Sequence, residues 1–131
     1  MAEIEEVIYS KLSAHAGLAT LVSTRVYPDQ LPQLPTLPAV TYARISTQVT
    51  NTRDNTSGGL ERPRFQFDCW ALTRIEARAV AGQVRSALLT FKQASNPRVY
   101  LPLLQDDRDL LDAETNRYRS LLDVFIWHEE Q

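Results

Sequence analysis

The sequence predicts an α+β fold, a largely antiparallel four-stranded sheet with two main helices packed on one face, and three stretches carry that expectation. Arg62 to Ala71, RPRFQFDCWA, alternates Phe65, Phe67, Cys69 and Ala71 with Arg64, Gln66, Asp68 and Trp70, the two-residue period of a strand with one buried side. Thr73-Arg74-Ile75-Glu76 is a capping box, and Ile75, Val80, Val84, Leu88 and Phe91 follow it as an apolar stripe at helical spacing. Arg117 to His128, RYRSLLDVFIWH, reads as a strand with two oily faces: Leu122, Val124 and Ile126 on one, Leu121, Phe125 and Trp127 on the other. A sheet backed by helices on one side needs a second cover for such a strand.

In chain order, Ile4, Val7, Ile8 and Leu12 place a helix over about Ala2 to His15, with Glu3, Glu5 and Glu6 in its favourable first turns and Gly17 as its stop. A short helical turn is expected at Leu18 to Val22. Prolines 28, 32, 35 and 38 make the run YPDQLPQLPTLP an extended connector (28–38), whose Leu31, Leu34 and Leu37 recur every third residue as polyproline geometry presents them. Ala39 to Val49 is rich in Val, Thr, Tyr and Ile and reads as a strand. Residues 50–61 are dominated by turn formers and are expected to form a mobile hairpin loop. Asn96-Pro97 stops the main helix. Val99 to Leu104 and Arg117 to His128 close the sheet, joined by QDDRDLLDAETN. The whole of 1–131 is expected to be one domain.

Composition narrows the function classes. The chain is 44% hydrophobic and 23% charged, with no apolar run near the ~20 residues of a membrane helix. Its start is acidic and amphipathic, unlike an export signal, which points to assembly in the cytoplasm. Fourteen basic against sixteen acidic residues leave no global field that draws nucleic acid. Cys69, the single cysteine, excludes an internal disulfide and any multi-cysteine metal site, and its strand phase turns it inward as a small hydrophobe.

Candidate chemistry is sparse. Asp106, Asp107, Asp109, Asp112 and Glu114 are dense enough for a two-metal nuclease, but they fall in a predicted turn with Arg108 among them, and the solvated-turn reading is preferred. Arg62, Arg64, Arg117 and Arg119, with Tyr100 and Tyr118, are candidates for nucleic-acid contact or for cross-strand pairing with acids, and pairing is the expectation. No glycine-rich phosphate loop occurs. No catalytic residue, cofactor or metal is expected.

Three segments together resemble the tail-completion proteins of long-tailed bacteriophages, also called tail terminators or tail-to-head joining proteins: VSTRVYPDQLPQLPTLPAVTYARIS, FDCWALTRIEARAVAGQVRSAL and DDRDLLDAETNRYRSLLDVFIW. The shared pattern falls at Arg25 to Pro28, Leu37-Pro38, Trp70, Ile75 to Leu89, and Tyr118-Arg119 to Trp127. The resemblance implies a non-enzymatic virion protein that forms a ring of six subunits at the head-proximal end of the tail tube. Its implied partners are other copies of itself, the major tail tube protein and the head connector, with DNA passing through the lumen without sequence-specific binding and no membrane. A head-side neck or connector protein is the alternative within this class, and a metal-dependent nuclease the alternative outside it. Ring formation offers a cover for the second oily face, so Leu121, Phe125 and Trp127 are the expected subunit joint. The leucines of the proline-rich connector, folded back, are the intramolecular alternative. Arg53, Asp54 and Asn55 in the hairpin loop are the expected docking residues toward tube or connector.

Overall fold

The computed structural model describes residues 4–33, 35–49, 60–92, 99–100, 102–112 and 116–129. Helix α1 (Ile4–Ala14) turns Ile4, Val7, Ile8 and Leu12 inward. Helix α2 (Ala16–Val22) follows at once, separated only by His15 in extended geometry. Gly17 therefore does not stop α1 but sits inside α2, where the Gln83 amide comes so close that a β-carbon would lie 2.1 Å from its Oε1. That amide oxygen stands 3.2 Å from His15 Nε2, tying the helix pair to the element that covers the sheet.

Strand β1 (Val26–Pro28) runs parallel to β2 (Ala39–Val49). The proline-rich connector between them begins and ends side by side: Arg25 donates from Nε to the Pro38 carbonyl at 2.9 Å, Val40 N–H donates to the Arg25 carbonyl at 3.0 Å, and Asp29 N–H to Tyr42 at 2.8 Å. Strand β2 continues antiparallel with β3 (Leu60–Ala71), from which the chain passes into α3 (Arg74–Leu89). Strands β4 (Leu103–Asp112) and β5 (Arg117–Phe125) complete the order β1-β2-β3-β5-β4, and a two-residue β6 (His128–Glu129) adds to the start of β3.

The expected four-stranded, largely antiparallel sheet with two main helices is thus corrected to a mixed five-strand path with one parallel pair and three helices, within the same α+β class. Two physical causes account for the difference. Strand β1 is three residues ending in a proline, too short to show alternation, and Pro28 is tolerated because the strand is at the sheet edge. The strand expected at Val99 to Leu104 is displaced: β4 spans Leu103–Asp112, the acidic run expected in a turn, while Val99 makes only an isolated bridge with His128, and Asn116, at φ 57°, turns the chain into β5 in the left-handed region that asparagine accepts.

The three helices lie on one face of the sheet. Fully buried Phe65 and Phe67 of β3 centre the core, with ring centroids 6.3 Å apart, beside Ile8, Leu12, Leu18, Val22, Val80, Val84, Leu122 and Val124. Helix α3 buries Ala77, Val80, Ala81, Val84, Ala87 and Leu88, so small side chains let it pack close to the sheet. Ile75, expected on that stripe, is 83% exposed, because the buried phase begins at Ala77. The capping box forms its forward half: Thr73 Oγ1 accepts from Glu76 N–H at 3.2 Å. Burial pushes the Cys69 thiol well above its usual pKa, so it stays protonated and unreactive. Among the described residues no helix is long and apolar enough to cross a membrane.

Candidate assembly surface

Strand register sorts the charged residues onto two sides. Toward the helices, β4 presents Asp107 and Asp109, opposite Leu122 and Ser120 of β5. Arg78 of α3 grips Asp107 with both terminal nitrogens, at 2.6 and 3.1 Å, and reaches Asp109 at 3.2 Å; Arg74 adds a 3.5 Å contact to Asp109. Asp107 and Asp109 are therefore not in a solvated turn but on β4, as the counter-charge that fastens α3 to that edge strand, while Glu114 lies outside the described residues. Sequence reasoning missed Arg74 and Arg78, although their spacing of four on one helix against aspartates spaced by two on a strand was a usable signal. With their oxygens committed to guanidinium groups, Asp107 and Asp109 are poorly placed to ligate metal, and among the described residues no cluster of three His, Cys, Asp or Glu forms a metal set.

Asp109 also accepts from the Ser120 hydroxyl at 2.7 Å. That hydrogen bond, followed by Arg78 and Arg74, holds its carboxyl below the ordinary range against an opposing burial effect. A depressed native pKa gives stability that is present above the unfolded value of about 3.9 and disappears as pH falls through the native value. Ser120→Ala removes the largest cause, so its acid-unfolding midpoint is expected at higher pH than the parent's, read by circular dichroism across roughly pH 2 to 5. An unmoved midpoint would show that the hydroxyl carries none of this stability.

The opposite face of the sheet has no helix on it among the described residues, and it is knitted by polar and aromatic contacts. Trp70 donates from Nε1 to Thr41 Oγ1 at 3.1 Å, and the Arg119 guanidinium lies 5.1 Å from the Trp70 ring and 3.9 Å from Asp68. Gln66 donates to Asp68 at 3.2 Å. Burial, as the dominant effect, nevertheless raises the Asp68 pKa, with Gln66 and Arg119 opposing it. Arg64 binds both oxygens of Asp123, and Arg108 meets Asp106 at 3.0 Å. Of the four arginines expected to pair across strands, Arg64 and Arg119 meet acids of their own sheet, Arg62 lies over the Phe125 and Trp127 rings, and Arg117 shows no acid partner among the described residues.

The three residues expected at a subunit joint are here in different states. Leu121 is only 6% exposed within the single chain, flanked in register by Asp68 and Arg108. Phe125 and Trp127 are half-buried and form a corner under one cation, the Arg62 guanidinium lying 4.4 Å from the Phe125 centroid and 5.3 Å from Trp127. Arg53, Asp54 and Asn55 lie outside the described residues. Beyond this corner, β4 is a ten-residue strand at the sheet's edge with Leu103 57% and Leu111 53% exposed.

The sheet is thus closed by helices on one side, charge-paired on the other and, among the described residues, without a further strand along β4. The chain belongs to the tail completion protein gp17 family, whose model matches residues 6–129. It is a structural protein of the phage virion tail. A solved chain from the virion of a native gene transfer agent (GTA) particle has the same fold: TM-score 0.72, 24% identity, 98% of this chain and 95% of that one covered. Among curated proteins none matches.

Proposed function

We propose that this protein closes the head-proximal end of a phage-type tail tube as a ring of identical subunits, six in number, and presents the opposite surface of that ring to the head connector. DNA crosses the lumen without base-specific contact. The observation that carries the reading is the one-sided sheet, with the Phe125 and Trp127 corner still partly accessible opposite the helices, in a chain of the tail completion family. The likeness to a chain of a gene transfer agent virion supports use in a phage-like particle, infectious or not. Leu121 has little left to gain from a neighbour, so the joint at this face rests on Phe125 and Trp127. The stretch 50–59, which links the adjacent ends of β2 and β3 and includes Arg53, Asp54 and Asn55, is the proposed docking element toward tube or connector.

Covering a half-buried aromatic ring contributes about 1 kcal/mol, roughly a fivefold effect at each joint and larger around a closed ring. Phe125→Ser and Trp127→Ser, made singly, are expected to give folded subunits, tails of irregular length and a reduced yield of joined particles in electron micrographs. Tails of normal length capped by a folded variant would remove this corner from the joint.

A further inference from the structure

The proline-rich connector between β1 and β2 has both ends fixed, by the hydrogen bonds from Arg25 to the Pro38 carbonyl and from Asp29 N–H to Tyr42. Its residues then differ in exposure: Leu31 and Leu37 are half-buried, while Pro28, Pro32 and Gln33 are exposed. Proline holds φ near about −65°, so a proline run pinned at both ends has little freedom left to lose on binding. The surfaces that recognise such runs are lined by aromatic side chains, against which the flat faces of proline rings pack. The Phe125 and Trp127 corner has that chemistry: two half-buried rings beside one another, with the Arg62 guanidinium 4.4 Å from one centroid and 5.3 Å from the other. The connector's single charge is the exposed Asp29, so its approach brings no like charge to Arg62.

The two surfaces stand on different parts of the subunit. The connector leaves and rejoins the sheet at its β1–β2 edge, returning at Ala39 opposite Trp70. The corner lies beyond β3, where Phe125 of β5 stands opposite Arg64 and Leu103, at the other end of the strands. A closed ring of identical subunits needs such a separation, because a head-to-tail joint brings together two different patches of one chain. We propose that the aromatic corner of one subunit takes the proline-rich connector of the next, with Pro32 and Gln33 laid over Phe125 and Trp127. This rests on the ring reading above and names the surface that the corner meets.

Cross-linking between introduced cysteines tests it, because Cys69 is buried and protonated and stays out of reach of thiol reagents. Gln33→Cys marks the connector and Leu103→Cys the position beside Phe125; both side chains are exposed, so neither substitution opens the core. The proteins are assembled on purified tail tubes and treated with a short bis-maleimide. An equimolar mixture of the two single variants should give covalent pairs roughly tenfold above a mixture of Gln33→Cys with Ile75→Cys, whose position on α3 is 83% exposed. The double variant should give a ladder of chain multiples. A cross-link closed within one chain of the double variant would show the connector covering its own corner and overturn the proposal. Rings on the tubes with cross-linking no higher than the Ile75→Cys control would overturn it and leave the ring reading standing. A wild-type protein that forms no ring even on tail tubes would end the ring reading and this joint together.

Discussion

Phe67→Ala is expected to destabilise the subunit by about 3 to 5 kcal/mol, the range for emptying a large aromatic site in a close-packed core. Phe67 is fully buried at the middle of β3, flanked in register by Tyr42 of β2 and Leu122 of β5, with Phe65 as its ring neighbour. Central strand neighbours cannot collapse into the hole without breaking their own ladders, which argues for the upper half of the range. Phe67→Leu keeps most of the volume and should cost less than about 2 kcal/mol. Ile75→Ala is the control from the same apolar residue class: at 83% exposure it should change stability by less than about 0.5 kcal/mol. Urea unfolding of the three variants, with equal m-values, measures the series. A Phe67→Ala loss near that of Ile75→Ala would mean that β3 is not the centre of the core.

That contrast also marks what was readable in the sequence. Strand β3 announced itself because both of its faces have one character each, and Phe65, Phe67, Cys69 and Ala71 are all buried as the alternation required. The start of α3 was readable because Thr73 and Glu76 act locally, within one turn. The alanines at 77, 79, 81 and 87 were readable as small residues permitting close packing, and Ala77, Ala81 and Ala87 are buried; Ile75 misled because the buried phase begins only at Ala77. Strand β4 was hidden for a different reason: LLQDDRDLLD has aspartates where a helix-facing strand normally has aliphatics, and their partners, Arg74 and Arg78, lie about thirty residues away in the chain. A pattern that depends on a distant counter-charge cannot be seen by periodicity alone. Arg25 and the Leu37-Pro38 pair, both within the segments that carry the resemblance, are joined here by the hydrogen bond from Arg25 to the Pro38 carbonyl, a contact between residues thirteen apart that no periodicity shows. At the candidate site, strand phase placed Leu121, Phe125 and Trp127 on one side, but burial separates Leu121 from the other two. What the period could not convey is the cover provided by Asp68, Arg108 and Arg62 from neighbouring strands.

Arg64→Met is the second substitution with a large expected effect, and it reports on the open face rather than on the core. Asp123 is 3% exposed at its side chain and lies between Gln66 of β3 and Asp106 of β4 in register. Arg64 answers it with two nitrogens, Nε to Oδ1 at 2.8 Å and a terminal nitrogen to Oδ2. Removing the cation leaves a buried carboxylate unpaired beside a second acid, which destabilises the fold. Arg64 itself is 40% exposed, so its own desolvation is modest and the loss comes from the stranded Asp123 carboxylate. Replacing both partners, Arg64→Met with Asp123→Leu, should restore most of the loss, since no buried charge remains. The cycle of these variants, measured by urea unfolding, should show that the two substitutions are not additive, the double variant unfolding at a higher urea midpoint than Arg64→Met alone. Because Arg64 stands opposite Phe125 in register, the doubly substituted protein also separates stability from assembly. It should fold like the parent, and if the aromatic corner makes contacts as proposed, it should still cap tails of normal length. A double variant as unstable as Arg64→Met alone would mean that the pair is not what the open face depends on.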